Sequence, residues 1–145
     1  MKYLILTCFI SLSIQNLSLA QKDILFTDSA EAQEYAVDNE TNILMVFSGS
    51  DWCRPCIQFK KDILMSEEFL AATKNKTAIL YLDFPSKKKN KLSKEQTDNN
   101  EMWADKFNKS GSFPHIVLLD HDMNKIKDMK FSGQSVEKFL SELYE

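Results

Sequence analysis

Hydrophobic and polar residues along the chain follow two periods, one typical of strands and one typical of helices. A continuous apolar run from Ile43 to Phe47 predicts a buried central strand, and Ile116 to Leu119 predicts another. The turn at 121–124 separates that strand from the last one, which predicts a terminal hairpin. The predicted strands are residues 22–26, 43–47, 77–84, 116–119 and 125–131.

Apolar residues at helical spacing fill the intervals between these strands. Helix starts are predicted near residue 28, at Cys53, near Glu95 and at Ser135, with a fresh cap at Ser66 in the second helical region. The resulting order is β-α-β-α-β-α-β-β-α. This order predicts an α/β domain whose central mixed sheet has about five strands and is flanked by about four helices.

The candidate chemistry lies at the start of the second helix, in the sequence Asp-Trp-Cys-Arg-Pro-Cys at 51–56. A Cys-x-x-Cys pair on a strand-to-helix turn favours redox chemistry. Because the unpaired N–H groups of a helix N-terminus favour an anion, the pKa of Cys53 is expected below the value of about 8.5 for a free thiol. Cys56 follows one turn later on the same face, where its thiol can resolve a mixed disulfide. Cys53 and Cys56 are therefore the candidate catalytic residues.

The residues beside the cysteines bear on the same chemistry. Arg54 places a permanent positive charge next to the Cys53 thiolate. Pro55 lacks an N–H group, fixes φ and costs little in a first helical turn. Arg54 and Pro55 are therefore candidates for tuning the nucleophile's pKa. Asp51 is expected to be an exposed turn residue or a helix cap that slightly opposes thiolate formation.

The first 20 residues predict a cleavable secretory signal. Lys2 gives a basic start, residues 3–14 are mostly apolar, and residues 18–20 place small side chains where a signal peptidase cuts. The apolar run is short and interrupted by polar residues, whereas spanning a bilayer takes about 20 apolar residues. A retained membrane anchor is the less favoured alternative. We therefore expect a domain at 21–145 that is exported to the periplasm or secreted, without stable membrane insertion.

The length of 145 residues indicates one domain. Its hydrophobic content of 43%, with ten phenylalanines, is sufficient for a substantial core. Cleavage after Ala20 would take the 18 basic residues to 17 against 21 acidic ones, a net charge of −4. A net negative charge argues against nucleic-acid binding, which depends on positive side chains that neutralise phosphates. The same cleavage would remove Cys8, which leaves Cys53 and Cys56 as the candidate disulfide.

Five lysines between Pro85 and Lys94 form a basic run in this acidic chain. The ordinary interpretation of such a run is a solvated loop. A contact for an acidic partner or for an anionic surface is the sharper interpretation. The pattern leaves both of them open.

The sequence resembles the thioredoxin superfamily over nearly all of residues 22–144. The most specific match is a strand followed by Ser-Asp-Trp-Cys-Arg-Pro-Cys and a helix. The second is Gly-Ser-Phe-Pro-His-Ile-Val-Leu-Leu-Asp, which is similar to the stretch that carries the family's cis-proline, and the third is the closing hairpin with Gly133 and its helix. The predicted signal and the lysine-rich insertion are most similar to exported bacterial thioredoxin-like proteins of the Bacteroidetes type.

The resemblance implies a thioredoxin fold and a thiol–disulfide oxidoreductase whose only cofactor is its own dithiol. Cys53 matches the family's nucleophile and Cys56 its resolving thiol. Trp52 matches the tryptophan that flanks the site, and Pro114 matches the cis-proline. Phe113, which precedes that proline, would offer its backbone to an extended substrate chain. The implied partners are cysteine-containing proteins and an upstream thiol redox donor or acceptor.

Four positions depart from the family pattern, one of them Arg54, which stands where thioredoxins have glycine between the cysteines. Phe47 stands where thioredoxins keep a buried aspartate, and Ile79 where they place a lysine. His115 replaces the threonine after the cis-proline, either as a packing residue or as a proton donor or acceptor in place of the missing aspartate. The resemblance therefore supports disulfide exchange but not thioredoxin's proton handling. Because a thiolate stabilised by Arg54 is also a better leaving group, we expect a reduction potential above thioredoxin's.

Other functions stay open at this point. A metal-binding module would use Cys53, Cys56 and His115, although zinc takes about four ligands and His121 lies on a turn at the far end of a strand. A non-catalytic binding protein or chaperone of the same fold would keep its function in a Cys53→Ser variant. A peroxidase-like enzyme would want a single low-pKa cysteine, and the vicinal pair argues against it.

Overall fold

The computed structural model describes residues 24–145, and the predicted signal at 1–20 lies outside this range. The strands are β1 Leu25–Phe26, β2 Asn42–Ser48, β3 Thr77–Asp83, β4 His115–Leu119 and β5 Lys125–Met129. In the described residues they form one five-stranded sheet in the order β1-β3-β2-β4-β5. β3 runs parallel to both β1 and β2, whereas β4 pairs antiparallel with β2 and β5 pairs antiparallel with β4. The predicted mixed sheet of an α/β domain is confirmed.

Five α-helices accompany the strands in residues 24–145, one more than predicted. They are α1 Ser29–Asp38, α2 Arg54–Phe59, α3 Glu67–Thr73, α4 Lys94–Phe107 and α5 Val136–Tyr144. The additional helix is α3, which begins at its own cap because the Ser66 hydroxyl accepts from Phe69 N. The connection between β3 and α4, residues 84–93, is the lysine-rich loop, and it contains a short 3₁₀ helix at Lys88–Asn90.

The helix that starts after Cys53 changes its winding halfway along. α2 continues directly into a π-helical segment, Lys60–Leu64, in which Met65 N donates to Lys60 O at 2.9 Å. Phe59, Ile63 and Leu64 are each 1% exposed. The wider turn therefore brings two consecutive side chains, at 63 and 64, onto the same buried side as Phe59.

The sheet separates two apolar clusters, which we call the first and the second face. On the first face, α2, α3 and α5 pack against residues such as Leu44 and Ile79, and on the second face α1 and α4 pack against residues such as Met45 and Phe47. Ile43–Phe47 of β2 are fully buried because both faces are covered and strands pair on both edges. The continuous apolar run in the sequence is the consequence of this position. Along residues 24–145, no helix combines the length and apolar character needed to cross a bilayer.

Phe139 of α5 joins three helices on the first face. Its ring is fully buried, with its centroid 5.2 Å from that of Phe59 and 6.1 Å from that of Phe69. Phe139→Ala should lower the free energy of unfolding by about 3–5 kcal/mol, measured by urea denaturation. Ile126→Ala, at a half-exposed position on β5, is the control and should cost no more than about 1 kcal/mol. Equal losses in the two variants would contradict this packing.

Candidate active site

Cys53 and Cys56 form a disulfide at the N-terminus of α2, with an S–S distance of 2.08 Å and Cα atoms 5.2 Å apart. Cys53 is the N-cap of the helix rather than a residue of its first turn, and its Sγ accepts from Cys56 N at 3.3 Å. Arg54 and Pro55 occupy the first two helical positions, and both are exposed. Cys53 is 5% exposed and Cys56 is 1% exposed, so Cys53 is the more accessible of the two.

The segment before the cysteines is attached to the end of β3. Ser50 N and Ser50 Oγ both donate to the Asp83 carboxylate, at 2.8 and 2.5 Å. Phe84 N donates to Ser48 O at 2.8 Å, which extends the strand pairing by one residue beyond β3. These bonds fix the direction in which the chain leaves β2 and enters the turn before α2. Sequence reasoning missed Asp83 because its partner lies 33 residues away.

Trp52 covers the turn, and its indole is 50% exposed. Indole Nε1 donates to Phe84 O at 2.7 Å. The ring lies against Gly49, where an added Cβ would come within 2.6 Å of Nε1, closer than real Cβ contacts allow. Gly49 O also accepts from Cys53 N at 2.9 Å. Position 49 therefore has to lack a side chain if the tryptophan is to lie beside the disulfide-bearing turn.

The predicted substrate-binding residues Trp52, Phe113 and Pro114 come from segments about 60 residues apart, and the structure brings them together. The Phe113–Pro114 peptide bond is cis. The Phe113 ring meets Trp52 edge-on with centroids 5.3 Å apart, and it meets Phe84 in the same way at 5.4 Å. Phe113 and Pro114 are half-buried, whereas Trp52 is exposed. Together they form an aromatic ledge at the edge of the sheet that carries the disulfide.

His115 opens β4 opposite Phe47 of β2. Its ring centroid is 5.8 Å from that of Phe47, and its Nε2 lies 3.6 Å from Asp128 Oδ1, beyond hydrogen-bond range. Nε2 is buried and makes no hydrogen bond within the described residues. Another departure from the thioredoxin pattern, Ile79, is buried on the first face, whereas Phe47 belongs to the second face.

A buried pair of hydroxyl groups lies on the first face near α2, and sequence reasoning missed it. Ser48 Oγ and Tyr81 Oη are 2.7 Å apart. Burial raises the pKa of Tyr81, so its phenol is neutral at physiological pH. Lys60 Nζ lies 4.5 Å from the centroid of the Tyr81 ring, which places a cation against the ring face. The strand alternation was the available signal, because Ser48 follows Leu44 and Val46 on the same side.

Asp51 anchors the lysine-rich loop and does not cap α2, which corrects one expectation for this residue. Its carboxylate accepts from Ser86 N at 2.9 Å, from Lys87 N at 3.0 Å and from Asn90 Nδ2 at 2.8 Å. The bond from the Ser86 backbone is the main cause that lowers the pKa of Asp51. The residue before Trp52 therefore holds the loop against the turn that carries Cys53.

A second buried polar residue supports the same region from α4. Asn100 is 2% exposed, and its Nδ2 donates to Asp83 O at 2.8 Å. Its Oδ1 accepts from Gln96 Nε2 at 2.9 Å. The sequence contains a signal for this role, because Asn100 falls on the apolar face of α4, three and seven residues before Trp103 and Phe107.

The residues proposed for a metal site do not converge. Within residues 24–145, no group of three or more His, Cys, Asp or Glu side chains is placed to hold a metal ion. His115 faces Asp128, and His121 lies 3.7 Å from its neighbour Asp122 on the β4–β5 turn. The metal-binding alternative therefore has no ligand set in this part of the chain.

The sequence profile of the Thioredoxin-like family matches residues 24–121. This chain belongs to that family. The thioredoxin-like chain is 28% identical over 129 residues to the disulfide bond reductase DsbH of Chlamydia pneumoniae, a match that covers 89% of this chain and 76% of DsbH. It is also 28% identical over 129 residues to the thioredoxin-related protein DsbJ of the same organism, of which it spans only 35%.

Solved structures agree on the fold of this thioredoxin-like chain. The DsbH oxidoreductase superposes with a TM-score of 0.74 at 28% identity, covering 83% of this chain and 82% of DsbH. A Thermus thermophilus thioredoxin gives a TM-score of 0.61 at 14% identity, covering 83% of this chain and 84% of its own, which speaks for the fold alone. The predicted thioredoxin fold is confirmed. The finer resemblance to Bacteroidetes proteins stays a prediction.

Asp51→Asn should destabilise the protein near neutral pH, because an amide offers one acceptor oxygen where the carboxylate uses two. The pKa of Asp51 is lowered in the folded state, so its carboxylate stabilises the fold above its ordinary value of 3.8. This contribution is lost as the pH falls through the lower, folded value. Urea denaturation should show a gap between variant and unchanged protein at about pH 7 that narrows progressively as the pH falls below about 4.

The matched control for this experiment is Asp105→Asn, which removes an exposed carboxylate from α4. It should leave stability nearly unchanged at both pH values. Trypsin gives a local readout, since the loop contains Lys87, Lys88 and Lys89. Cleavage after these lysines should be faster in Asp51→Asn than in the control. Equal cleavage rates would show that Asp51 does not hold the loop.

Proposed function

We propose that this chain is an exported thiol–disulfide oxidoreductase that reduces, forms or exchanges protein disulfides through its Cys-Arg-Pro-Cys pair. The observation that carries the proposal is the Cys53–Cys56 disulfide at the N-terminus of α2 within a thioredoxin fold. The name of the chlamydial relative, a disulfide bond reductase, supports the same chemistry. The cofactor is the protein's own dithiol.

In the reducing direction, the Cys53 thiolate attacks one sulfur of a substrate disulfide. A Cys53–substrate S–S bond forms, the substrate S–S bond breaks, and the second substrate sulfur leaves as a thiolate that takes up a proton. Cys56 then loses its proton and attacks Cys53 Sγ, which forms the Cys53–Cys56 disulfide and releases the other substrate thiolate. The substrate gains two electrons and two protons, and the protein dithiol loses them.

The assignment of Cys53 as the attacking residue follows from its position and access. It is the N-cap of α2, where the N–H groups of the first turn favour an anionic sulfur, and Cys56 N already points at its Sγ. It is also the less buried of the pair. Cys56, one turn further on, is positioned to resolve the mixed disulfide but is covered from an incoming substrate.

The aromatic ledge of Trp52, Phe113 and Pro114 is the substrate-binding surface in this proposal. A half-exposed ledge beside the disulfide suits an extended polypeptide, because aromatic side chains offer large contact area with little loss of entropy. Arg54, exposed at the first helical position, adds positive charge for the Cys53 thiolate. His115 packs against Phe47 and faces Asp128, so we assign it a supporting role in pKa tuning rather than a direct one.

The partners we propose are cysteine-containing proteins and a thiol redox donor or acceptor that returns the pair to its working state. We place the protein in the periplasm or outside the cell, on the strength of the predicted signal at 1–20. An oxidising compartment of this kind is where protein disulfides form and need exchange. The direction of electron flow depends on the reduction potential.

A trapping experiment tests the two cysteine roles. Cys56→Ser should accumulate a mixed disulfide with a peptide disulfide substrate, because the thiol that resolves it is missing. Mass spectrometry should find one substrate half attached at Cys53, and catalytic turnover should fall to the rate of uncatalysed exchange. In protein that retains residue 8, Cys8→Ser is included in every variant so that no other thiol can react.

Cys53→Ser is the matched control and should neither trap substrate nor turn it over. Trapping on Cys56 in this variant would reverse the assigned roles. Normal function in Cys53→Ser would favour the non-catalytic binding protein. Stoichiometric metal in the purified reduced protein would favour the metal-binding module.

The reduction potential tests the part assigned to Arg54. Equilibration in glutathione buffers should give a two-electron couple above the value of about −270 mV for thioredoxin, because the arginine stabilises the thiolate of the reduced form. Arg54→Gln should bring the potential down by about 30 mV, which corresponds to about 1.4 kcal/mol. Arg54 is the only arginine, so Lys61→Gln, further along the same helix, serves as the charge-matched control. A potential at or below thioredoxin's would refute the expected elevation, and an unchanged potential in Arg54→Gln would refute the role of Arg54.

A further inference from the structure

A groove of about 360 Å³ lies next to the aromatic ledge, between the lysine-rich loop and α4. Its size is at the lower end of the range of about 300–1,000 Å³ that is typical of ligand pockets. Its lining includes three lysines and three apolar residues, namely Phe84, Pro85, Lys87, Lys88, Lys91 and Leu92. The groove therefore combines positive charge with an apolar floor.

The groove is continuous with the candidate active site through Phe84. This residue lines the groove, its ring meets Phe113 edge-on, and its carbonyl accepts from Trp52 Nε1. Asp51, two residues before Cys53, holds the other side of the loop through the backbone of Ser86 and Lys87. A polypeptide whose cysteine has reached Cys53 would therefore meet the groove within a few residues.

The charges around the groove favour an anionic occupant. Lys87, Lys88 and Lys91 are exposed. Of the acidic residues nearby, Asp83 and Asp51 accept hydrogen bonds from the turn and the loop and keep their negative charges there. The lining therefore carries Lys87, Lys88 and Lys91 against the carboxylates of Asp83 and Glu101, a formal excess of one positive charge. This excess stands in a chain whose net charge is −3, and the three exposed lysines supply the cations that an anionic occupant would meet.

We propose that this groove binds an acidic segment of the substrate polypeptide, next to the cysteine that exchanges with Cys53. The inference rests on the proposed function and gives it a substrate class: disulfide proteins with Asp or Glu close to the reactive cysteine. The acidic side chains would meet the three lysines, while apolar parts of the segment pack on Phe84 and Leu92. In this proposal the lysine-rich loop contributes to substrate specificity and is not only a solvated connection.

Direct binding tests the groove independently of redox chemistry. Labelled peptides with Ser in place of the reactive cysteine, flanked by Glu, Gln or Lys, are titrated with the disulfide form of the full chain. The Glu peptide should bind about tenfold more tightly than the Gln peptide at low salt, and the difference should shrink as added salt screens the lysines. The Lys88→Glu, Lys91→Glu double variant should abolish this preference.

The matched control is Lys74→Glu, Lys76→Glu, which makes the same change in net charge at the opposite end of β3. β3 begins at Thr77 and ends at Asp83, so these two exposed lysines lie about 20 Å from the groove. The control should keep the preference for the Glu peptide. Equal loss in both double variants would reduce the effect to net charge and overturn the proposal.

Exchange rates then connect the groove to the reaction. With cysteine-containing peptide disulfides, the reduced protein should react about tenfold faster with the Glu-flanked substrate than with the Gln-flanked one at low salt. Lys88→Glu, Lys91→Glu should lose this advantage but react normally with hydroxyethyl disulfide, a small neutral substrate. A shared rate for all peptides would overturn the groove as a specificity element.

The two proposals fail in different ways. If the protein exchanges with neither hydroxyethyl disulfide nor any peptide disulfide, the oxidoreductase proposal is refuted, whether or not the peptides bind to the groove. Exchange without any preference for Glu peptides would refute the groove and leave the oxidoreductase standing. Lysine-dependent binding to vesicles of anionic lipid, with no discrimination among the peptides, would also overturn the proposal and assign the loop to a membrane surface.

Discussion

The position of the disulfide depends on hydrogen bonds that join the end of β2 to the end of β3. Residues 49–52 have neither a strand ladder nor a helix of their own. The Asp83 carboxylate accepts two hydrogen bonds from Ser50. Phe84 N donates to Ser48 O, and Phe84 O accepts from Trp52 Nε1. A charged acceptor makes such bonds stronger than neutral ones. The turn is therefore held firmly enough to present Cys53 as a helix cap.

The sheet around this turn divides its two faces between different tasks. The first face, under α2, is mainly apolar and carries the paired hydroxyls of Ser48 and Tyr81 near the disulfide-bearing helix. The second face carries Phe47 and leads to the aromatic ledge through Phe84, 6.4 Å away between ring centroids. By the resemblance, thioredoxins keep an aspartate at the position of Phe47, whereas this protein has a ring that belongs to the packing beneath the aromatic ledge.

Local patterns in the sequence were sufficient for most of the fold. The apolar run 43–47 marked the central strand, and the serine caps marked helix starts, because these signals act within a few residues. The π-helical segment after Phe59 was not predicted, since its spacing also fits a continuous α-helix. The contacts of Asp51 and Asp83 were missed for another reason. Their partners are 33 to 39 residues away, and they meet only once the register of β2 and β3 is fixed.

The candidate cysteines, tryptophan and proline could be named from the sequence because they form short motifs. Their assigned roles remain predictions, as does export. The sequence left the loop open between a solvated segment and a contact for an acidic partner, because a run of lysines has the same composition whether it is free in solvent or held beside a site. What distinguishes the two is the carboxylate of Asp51, which a sequence pattern would place on an ordinary turn.

The anchoring of the loop restricts how its length and sequence can change among related proteins. Asp51 reaches two consecutive backbone amides and the side chain of Asn90 at once, so the loop must keep its length and its 3₁₀ turn to satisfy one carboxylate. At the other end of the connection, Asn100 binds the carbonyl of Asp83. An insertion or deletion between Asp83 and Asn100 would move the donors at 86, 87 and 90 away from the Asp51 carboxylate. The acidic residue before the tryptophan and the lysine-rich connection should therefore be gained and lost as one unit among related proteins.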